Sequence, residues 1–264
     1  MQIERTVTVT RGPADMHVSI VGEGTRLVLV HGGGEGGLSA WREQLPLAAR
    51  FRLVIPSRPG YGESPARGGE DFEVHAGPIA ELLGDGAHLV GQSYGAIVAM
   101  LAAAQRPHAV RSLTLIESGS SAIARGRPGV DDYERRMGAI ASAPPSDVDT
   151  LVRSVFAILD PKIALPSPLP PAFMRWAERL PSFRWPWEAV VPVAALRAAG
   201  FPILSITGGE RAMYEEIGDA LAEALGAERA IVPGPHGLQS IGAPFNARLL
   251  DFLERADART RSAA

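Results

Sequence analysis

A chain of 264 residues can bury one sizeable core, and the length is common for a single α/β domain carrying an insertion. With 26 basic against 29 acidic residues, a formal net charge of -3, it lacks the charge excess that binds nucleic acid or an anionic membrane. It has no cysteine, which excludes disulfides, thiolate chemistry and cysteine-held metals.

In chain order, Ile3 to Thr10 and Met16 to Val21 alternate β-branched and polar residues around Arg11-Gly12-Pro13 and predict an antiparallel hairpin. The opening MQIERTVTVT has no apolar signal core, and no apolar run is long enough for a bilayer, so a soluble cytoplasmic protein is expected. Leu27 to Val30 reads as a strand covered on both faces, followed by HGGGEGG. Ser39 to Arg50 predicts a helix capped by Ser39, and Arg52 to Ile55 a further strand. Phe72 to Leu83 is a helical pattern ended by Gly84-Asp85-Gly86. Leu89-Val90 is a strand, Ala96 to Ala104 a buried helix, and Ser112 to Ile116 the next strand.

From Ser120 to Val193 the pattern changes, and half of the 22 prolines fall there. Tyr133 to Ala141, Val148 to Leu159 and Phe173 to Leu180 read as short helices between proline breaks. The strand pattern resumes at Ile203 to Ile206, with a helix over Met213 to Leu225 and a last strand at Ala230 to Val232. A terminal helix is expected from Phe245 to Arg255, with the tail after Asp257 frayed. Repeated strand–helix units imply a mostly parallel sheet with helices on both faces. Residues 120 to 195 read as an insertion within one domain spanning 1 to 264.

The densest chemistry is Gly91-Gln92-Ser93-Tyr94-Gly95, a G-x-S-x-G between a strand and a small-residue helix. Such a turn strains the serine and lifts its hydroxyl clear of the sheet, while the glycines let strand and helix nearly touch. The following helix aims its positive end at whatever Ser93 attacks. A serine needs a base, and of the six histidines only His236 follows the last strand, at the end of the sheet where ligands bind in open α/β folds. His31, in the glycine loop, is expected to brace it. The amide of Tyr94, next after the nucleophile, is one donor for a tetrahedral oxyanion. No metal cluster or cofactor motif appears, so neither is expected. A rival reading takes Gly32, Gly34 and Gly37 as a dinucleotide fingerprint, with Arg58 on an NADP phosphate. The hairpin before it and the elbow after it argue against that reading.

HGGG after a strand, then RPGYGES, then GQSYG, then a late histidine before a terminal helix: in this order the motifs resemble the α/β-hydrolase superfamily, over most of the chain outside 120 to 195. The resemblance implies an eight-stranded sheet, a helical cap inserted after the sixth strand, Ser93 as nucleophile, His236 as general base and Gly33 as second oxyanion donor. Serine at the elbow argues against the dehalogenase and epoxide hydrolase branches, which use aspartate there. Most of the superfamily carries the triad acid after the seventh strand, where this chain reads Thr207-Gly208-Gly209-Glu210-Arg211. The position usual for the acid holds Arg211, and Glu210 is one residue off. Glu117, directly after LTLI, is placed like the acid of some haloalkane dehalogenases and of serine hydrolases acting on the lactone zearalenone. Glu117 is favoured, with Glu210 as the alternative.

Trp176, Trp185 and Trp187, with Phe173 and Phe183, read either as an apolar roof over the site or as the cap's own small core. The expected partner is a small molecule, best read as a hydrophobic carboxylic ester or lactone, with amide, thioester and carbon–carbon bond cleavage left open. A ligand-binding protein of the same fold, with little turnover, is the alternative.

Overall fold

The computed structural model describes residues 7–263. Eight strands form one sheet: β1 (Thr8–Arg11), β2 (His17–Val21), β3 (Thr25–Val30), β4 (Phe51–Pro56), β5 (Ala87–Gln92), β6 (Val110–Ile116), β7 (Ile203–Thr207) and β8 (Glu228–Ile231). Their spatial order is β1-β2-β4-β3-β5-β6-β7-β8. β1 to β2 and β2 to β4 pair antiparallel, and every other pairing is parallel. Residues 3–6 of the predicted hairpin lie outside the described residues.

The apolar runs follow from burial on both faces. Along β3, Val28 and Val30 join one core while Leu27 and Leu29 join the other. The first core is covered by α1 (Phe72–Leu82) and α2 (Tyr94–Gln105), the second by α8 (Ala243–Ala263). Asp71 caps α1 by accepting from the amides of Glu73 and Val74. α2 is so poor in bulky side chains that it can lie directly on the sheet, and nine of its residues are buried.

Between β6 and β7 the chain forms α3 (Pro128–Ser142), α4 (Val148–Leu159), α5 (Pro171–Glu178) and α6 (Val193–Ala199). Pro128 and Pro171 sit in the first turn of their helices, where a missing amide costs nothing. α7 (Ala212–Leu225) then links β7 to β8.

Two expectations are corrected. The predicted helix from Ser39 is instead a 3-10 stretch, Arg42–Ala49, containing Pro46. Proline removes an amide and crowds the carbonyl four residues back, and around Pro46 the chain takes 3-10 rather than α geometry. Ser39 bonds Glu35 at 2.9 Å rather than capping a helix. The terminal helix does not stop at Arg255: α8 continues to Ala263, with Asp257 held at 2.9 Å by Arg111.

The segment 120–195 consists of helices and 3-10 turns and contributes no strand to the sheet. In native-state hydrogen exchange its amides are expected to exchange well before those of β3, β5 and β6. Equal protection in both sets would contradict this.

Candidate active site

β5 ends at Gln92 and α2 begins at Tyr94, so Ser93 alone makes the turn, with φ 54° and ψ −119°. A non-glycine residue there stores about 1–3 kcal/mol of strain. Hydrogen bonds on both sides hold it: the Ser93 amide donates to Ile116 at 2.9 Å, and its carbonyl accepts from Ala96 at 3.0 Å and Gly119 at 3.2 Å. A Cβ on Gly91 would overlap the backbone of α2, and one on Gly95 the carbonyls of Val30 and His31. Both glycines are therefore required by close approach.

Ser93 Oγ lies 3.0 Å from His236 Nε2, and His236 Nδ1 lies 2.8 Å from Glu117 Oε2. The proton on Nδ1 therefore faces a carboxylate, leaving the Nε2 lone pair toward the serine. Glu117 sits directly after β6 with φ 39°, and its side chain is 1% exposed. Its second oxygen accepts from the Gly208 amide at 2.8 Å. The loop after β7 thus supplies a donor to the carboxylate instead of a carboxylate. Glu210 points elsewhere, 3.2 Å from Lys162 Nζ, and Arg211 donates to the Ile158 carbonyl.

Three residues around His236 carry no sequence signal. Tyr214 stacks on the imidazole, centroids 4.3 Å apart and planes 3° from parallel, with its hydroxyl 3.1 Å from Nε2. Buried Asp160 accepts from the His236 amide at 3.3 Å, and Gln92 Nε2 donates to the His236 carbonyl at 3.3 Å. Gln92 Oε1 also accepts from the Gly32 amide at 3.1 Å, so one side chain ties the glycine loop to the histidine loop.

Tyr94 is the first residue of α2, so its amide has no acceptor within the helix and lies at the positive end of the helix dipole. Gly33 lines the same cavity as Ser93, and a Cβ there would press on the Trp176 indole. His31 braces this loop. Its Nδ1–H donates to Gly32 O at 2.9 Å and its Nε2 accepts from the Arg58 amide at 2.9 Å. Burial, with Arg58 alongside, holds its pKa well below the usual value and keeps it neutral in that tautomer. The Arg58 side chain is wholly buried. It donates to His31 O at 2.9 Å and Gly32 O at 2.7 Å, and pairs with Glu70. The arginine of the dinucleotide reading is thus engaged inside the protein.

The cavity over Ser93 is mostly apolar, walled by Val155, Phe156, Leu159, Leu180 and Met213. Of the predicted aromatic roof, Trp176, Phe183 and Trp185 line it. Trp187 stacks on Trp185 at 5.0 Å, and Phe173 packs on Phe156 at 5.3 Å. The cluster is both roof and small core. Tyr94 fastens it to the sheet, its hydroxyl donating to the carbonyls of Glu70 (3.2 Å) and Arg184 (3.1 Å).

An eight-stranded sheet with two antiparallel pairings at one edge, a strained serine after the fifth strand and a histidine after the eighth define the class. The chain belongs to the α/β hydrolase fold family, whose model matches residues 25–184. It is an enzyme of that fold, and its named relatives are esterases and hydrolases. It is 32% identical over 227 residues to a pimeloyl-[acyl-carrier protein] methyl ester esterase of Methylococcus capsulatus, covering 78% of this chain and 85% of that protein. A shorter match, 34% identical over 117 residues, covers 41% of this chain and 42% of the 2-hydroxy-6-oxo-2,4-heptadienoate hydrolase of Pseudomonas putida. Among solved structures, a membrane phospholipase A described as a bacterial virulence factor superposes with a TM-score of 0.70 at 21% identity. That match covers 96% of this chain and 87% of the other, and at such identity it speaks for the fold alone.

Glu117→Gln keeps the shape and an acceptor for Gly208, but its amide would face Nδ1 and favour the wrong imidazole tautomer. Turnover of an ester is expected to fall by about a thousandfold or more with folding retained. Glu210→Gln, which removes only a half-exposed contact to Lys162, should be nearly silent. Steady-state kinetics with thermal melts checks both, and the reverse pattern would reassign the acid.

Proposed function

We propose that this protein is a serine hydrolase that cleaves a carboxylic ester or lactone of a hydrophobic small molecule through an acyl-enzyme intermediate. One observation carries the reading. The hydrogen-bonded line from Ser93 Oγ through His236 to Glu117 opens onto a mostly apolar cavity. Similarity to a protein named as a methyl ester esterase supports ester chemistry.

In the proposed reaction Ser93 Oγ attacks the carbonyl carbon as its proton passes to His236 Nε2. The amides of Tyr94 and Gly33 receive the oxyanion. Collapse breaks the carbon–oxygen bond to the leaving group, and His236 returns the proton to that oxygen, releasing an alcohol. Water then attacks the acyl carbon, giving its proton to His236, which passes it to Ser93 Oγ as the acyl carbon–Oγ bond breaks and the acid leaves. In a lactone, alcohol and acid remain one molecule, a hydroxy acid. Glu117 stabilises the imidazolium throughout. Residues 120–195 act as a cap within one domain, gating entry and shaping the hydrophobic binding space.

A non-turning-over ligand binder of the same fold is the second reading. The spacing of 3.0 Å between Ser93 and His236 favours hydrolysis over it.

A fluorophosphonate probe is expected to label Ser93, read by peptide mass spectrometry. In a panel of esters, lactones and amides, esters or lactones with apolar bodies should turn over fastest. Ser93→Ala should lower that turnover by roughly a factor of a million. Labelling at another residue, or repeated binding without turnover across the panel, would contradict the proposal.

A further inference from the structure

Tyr214 touches the reacting groups, yet it gives and takes no proton in the proposed reaction. Its ring lies on the His236 imidazole, centroids 4.3 Å apart and planes 3° from parallel, and its oxygen stands 3.1 Å from Nε2. It lines the same cavity as Ser93 and is 1% exposed. It comes from the first turn of α7, just after Arg211, whose side chain donates to the Ile158 carbonyl. One face of the imidazole is therefore covered by a buried phenol.

The parallel planes decide what that phenol can do. The Nε2 lone pair lies in the imidazole plane and points at Ser93 Oγ, 3.0 Å away. An oxygen in a second, parallel layer is off that axis, so Tyr214 does not compete with the serine. A phenolic proton prefers the plane of its own ring, so Nε2 meets the electron-rich side of the oxygen. The π face of the phenol carries the same sign. Both gain little from a neutral imidazole and much more from an imidazolium, which forms when Nε2 takes a proton. Burial, and after it the Glu117 carboxylate, hold the Tyr214 pKa well above the usual value, so the phenol stays neutral throughout.

The other groups around His236 act elsewhere. Glu117 faces Nδ1, Ser93 faces Nε2, Asp160 accepts from the backbone amide and Gln92 donates to the carbonyl. Arg211 and Tyr133 are near enough to act on the Tyr214 phenol. Glu117 thus meets the cation at the edge of the ring, and Tyr214 meets it across the face.

We propose that Tyr214 is a positioning residue whose stacked phenol stabilises the His236 imidazolium that forms as Ser93 attacks. This rests on the hydrolase reading of Ser93 and adds a residue to that site. The contact strengthens as the imidazole becomes charged, so it favours the transition state over the bound substrate.

The test compares wild type with Tyr214→Phe, which keeps the stacked ring and loses the oxygen, and Tyr214→Leu, which removes both. If the smaller side chain prevents folding, Tyr214→Met replaces it, filling more of the space without a ring. For the ester turned over best, Tyr214→Leu is expected to lose about tenfold, most of it in kcat, with Tyr214→Phe between it and wild type. The acid limb of kcat/KM should move about half a unit or more to lower pH in Tyr214→Leu, because an imidazolium without the stack gives up its proton more readily. A purely structural role would lower activity without moving that limb.

NMR titration of histidine-labelled protein reads the same property without turnover. The His236 resonance, assigned by its loss in His236→Gln, should titrate at lower pH in Tyr214→Leu than in wild type. If it does so while wild type turns over no ester, the stack is supported and the hydrolase reading is overturned. If wild type is active and neither the NMR midpoint nor the acid limb moves in the ringless variant, the stack is overturned and the hydrolase reading stands. Tyr214→Phe as impaired as Tyr214→Leu would also overturn it, because the ring would then contribute nothing.

Discussion

The hydrogen bond between Glu117 and His236 is the interaction on which the rest of the site depends. A carboxylate at 1% exposure has lost nearly all its water and must be repaid by donors. It has two, the imidazole Nδ1–H at 2.8 Å and the Gly208 amide at 2.8 Å. That need shapes the neighbouring chain. The loop after β7 must present an amide, and Gly208 must lack a side chain, because a Cβ would overlap the Gly234 carbonyl. The histidine loop is carried past on the other side. With Gly208 O accepting from Gly234 at 3.3 Å, the two loops are fixed to each other as well as to the acid.

The second constraint is conformational strain held at adjacent strand ends. Ser93 and Glu117 both have positive φ, and both directly follow neighbouring parallel strands. Each would relax if its backbone were free. Instead the Ser93 amide is bonded to Ile116 O, and the Glu117 amide to Ile206 O at 3.0 Å, so the strand ends are stitched across β5, β6 and β7. The sheet over-determines the conformation, which lets a strained serine persist. On the far side, Arg58 performs the same task for the glycine loop through His31 O and Gly32 O. In the proposed reaction, amides held in this way would need no reorganisation when charge develops on the substrate oxygen.

Much of this was legible in the sequence, for identifiable reasons. Strands buried on both faces read as unbroken apolar runs, so the LVLV of β3 was visible directly. The elbow was visible because its glycines answer a local steric demand. Pro46 did not by itself mark the predicted helix from Ser39 as wrong, because α1 forms with Pro78 inside it. The choice between Glu117 and Glu210 rested on resemblance and on which strand ends lie side by side, and in the structure Glu117 lies on His236 and Glu210 on Lys162. Tyr214, Asp160 and Gln92 were not legible. Each reaches His236 from a distant or unpatterned position, and nothing in a helix-facing tyrosine or a pre-proline aspartate marks its partner. Glu70 was hidden likewise, in a polar loop where a buried carboxylate is not expected.

The central claim is that Ser93, His236 and Glu117 act as one unit beside the Gly33 and Tyr94 amides. A crystal structure of the phosphonylated protein tests it most directly. The account predicts phosphorus bonded to Ser93 Oγ, the phosphonyl oxygen within hydrogen-bond distance of both amides, and His236 Nδ1 still on Glu117. An adduct on another residue, a phosphonyl oxygen turned away from Gly33 and Tyr94, or His236 paired with Glu210 would contradict it.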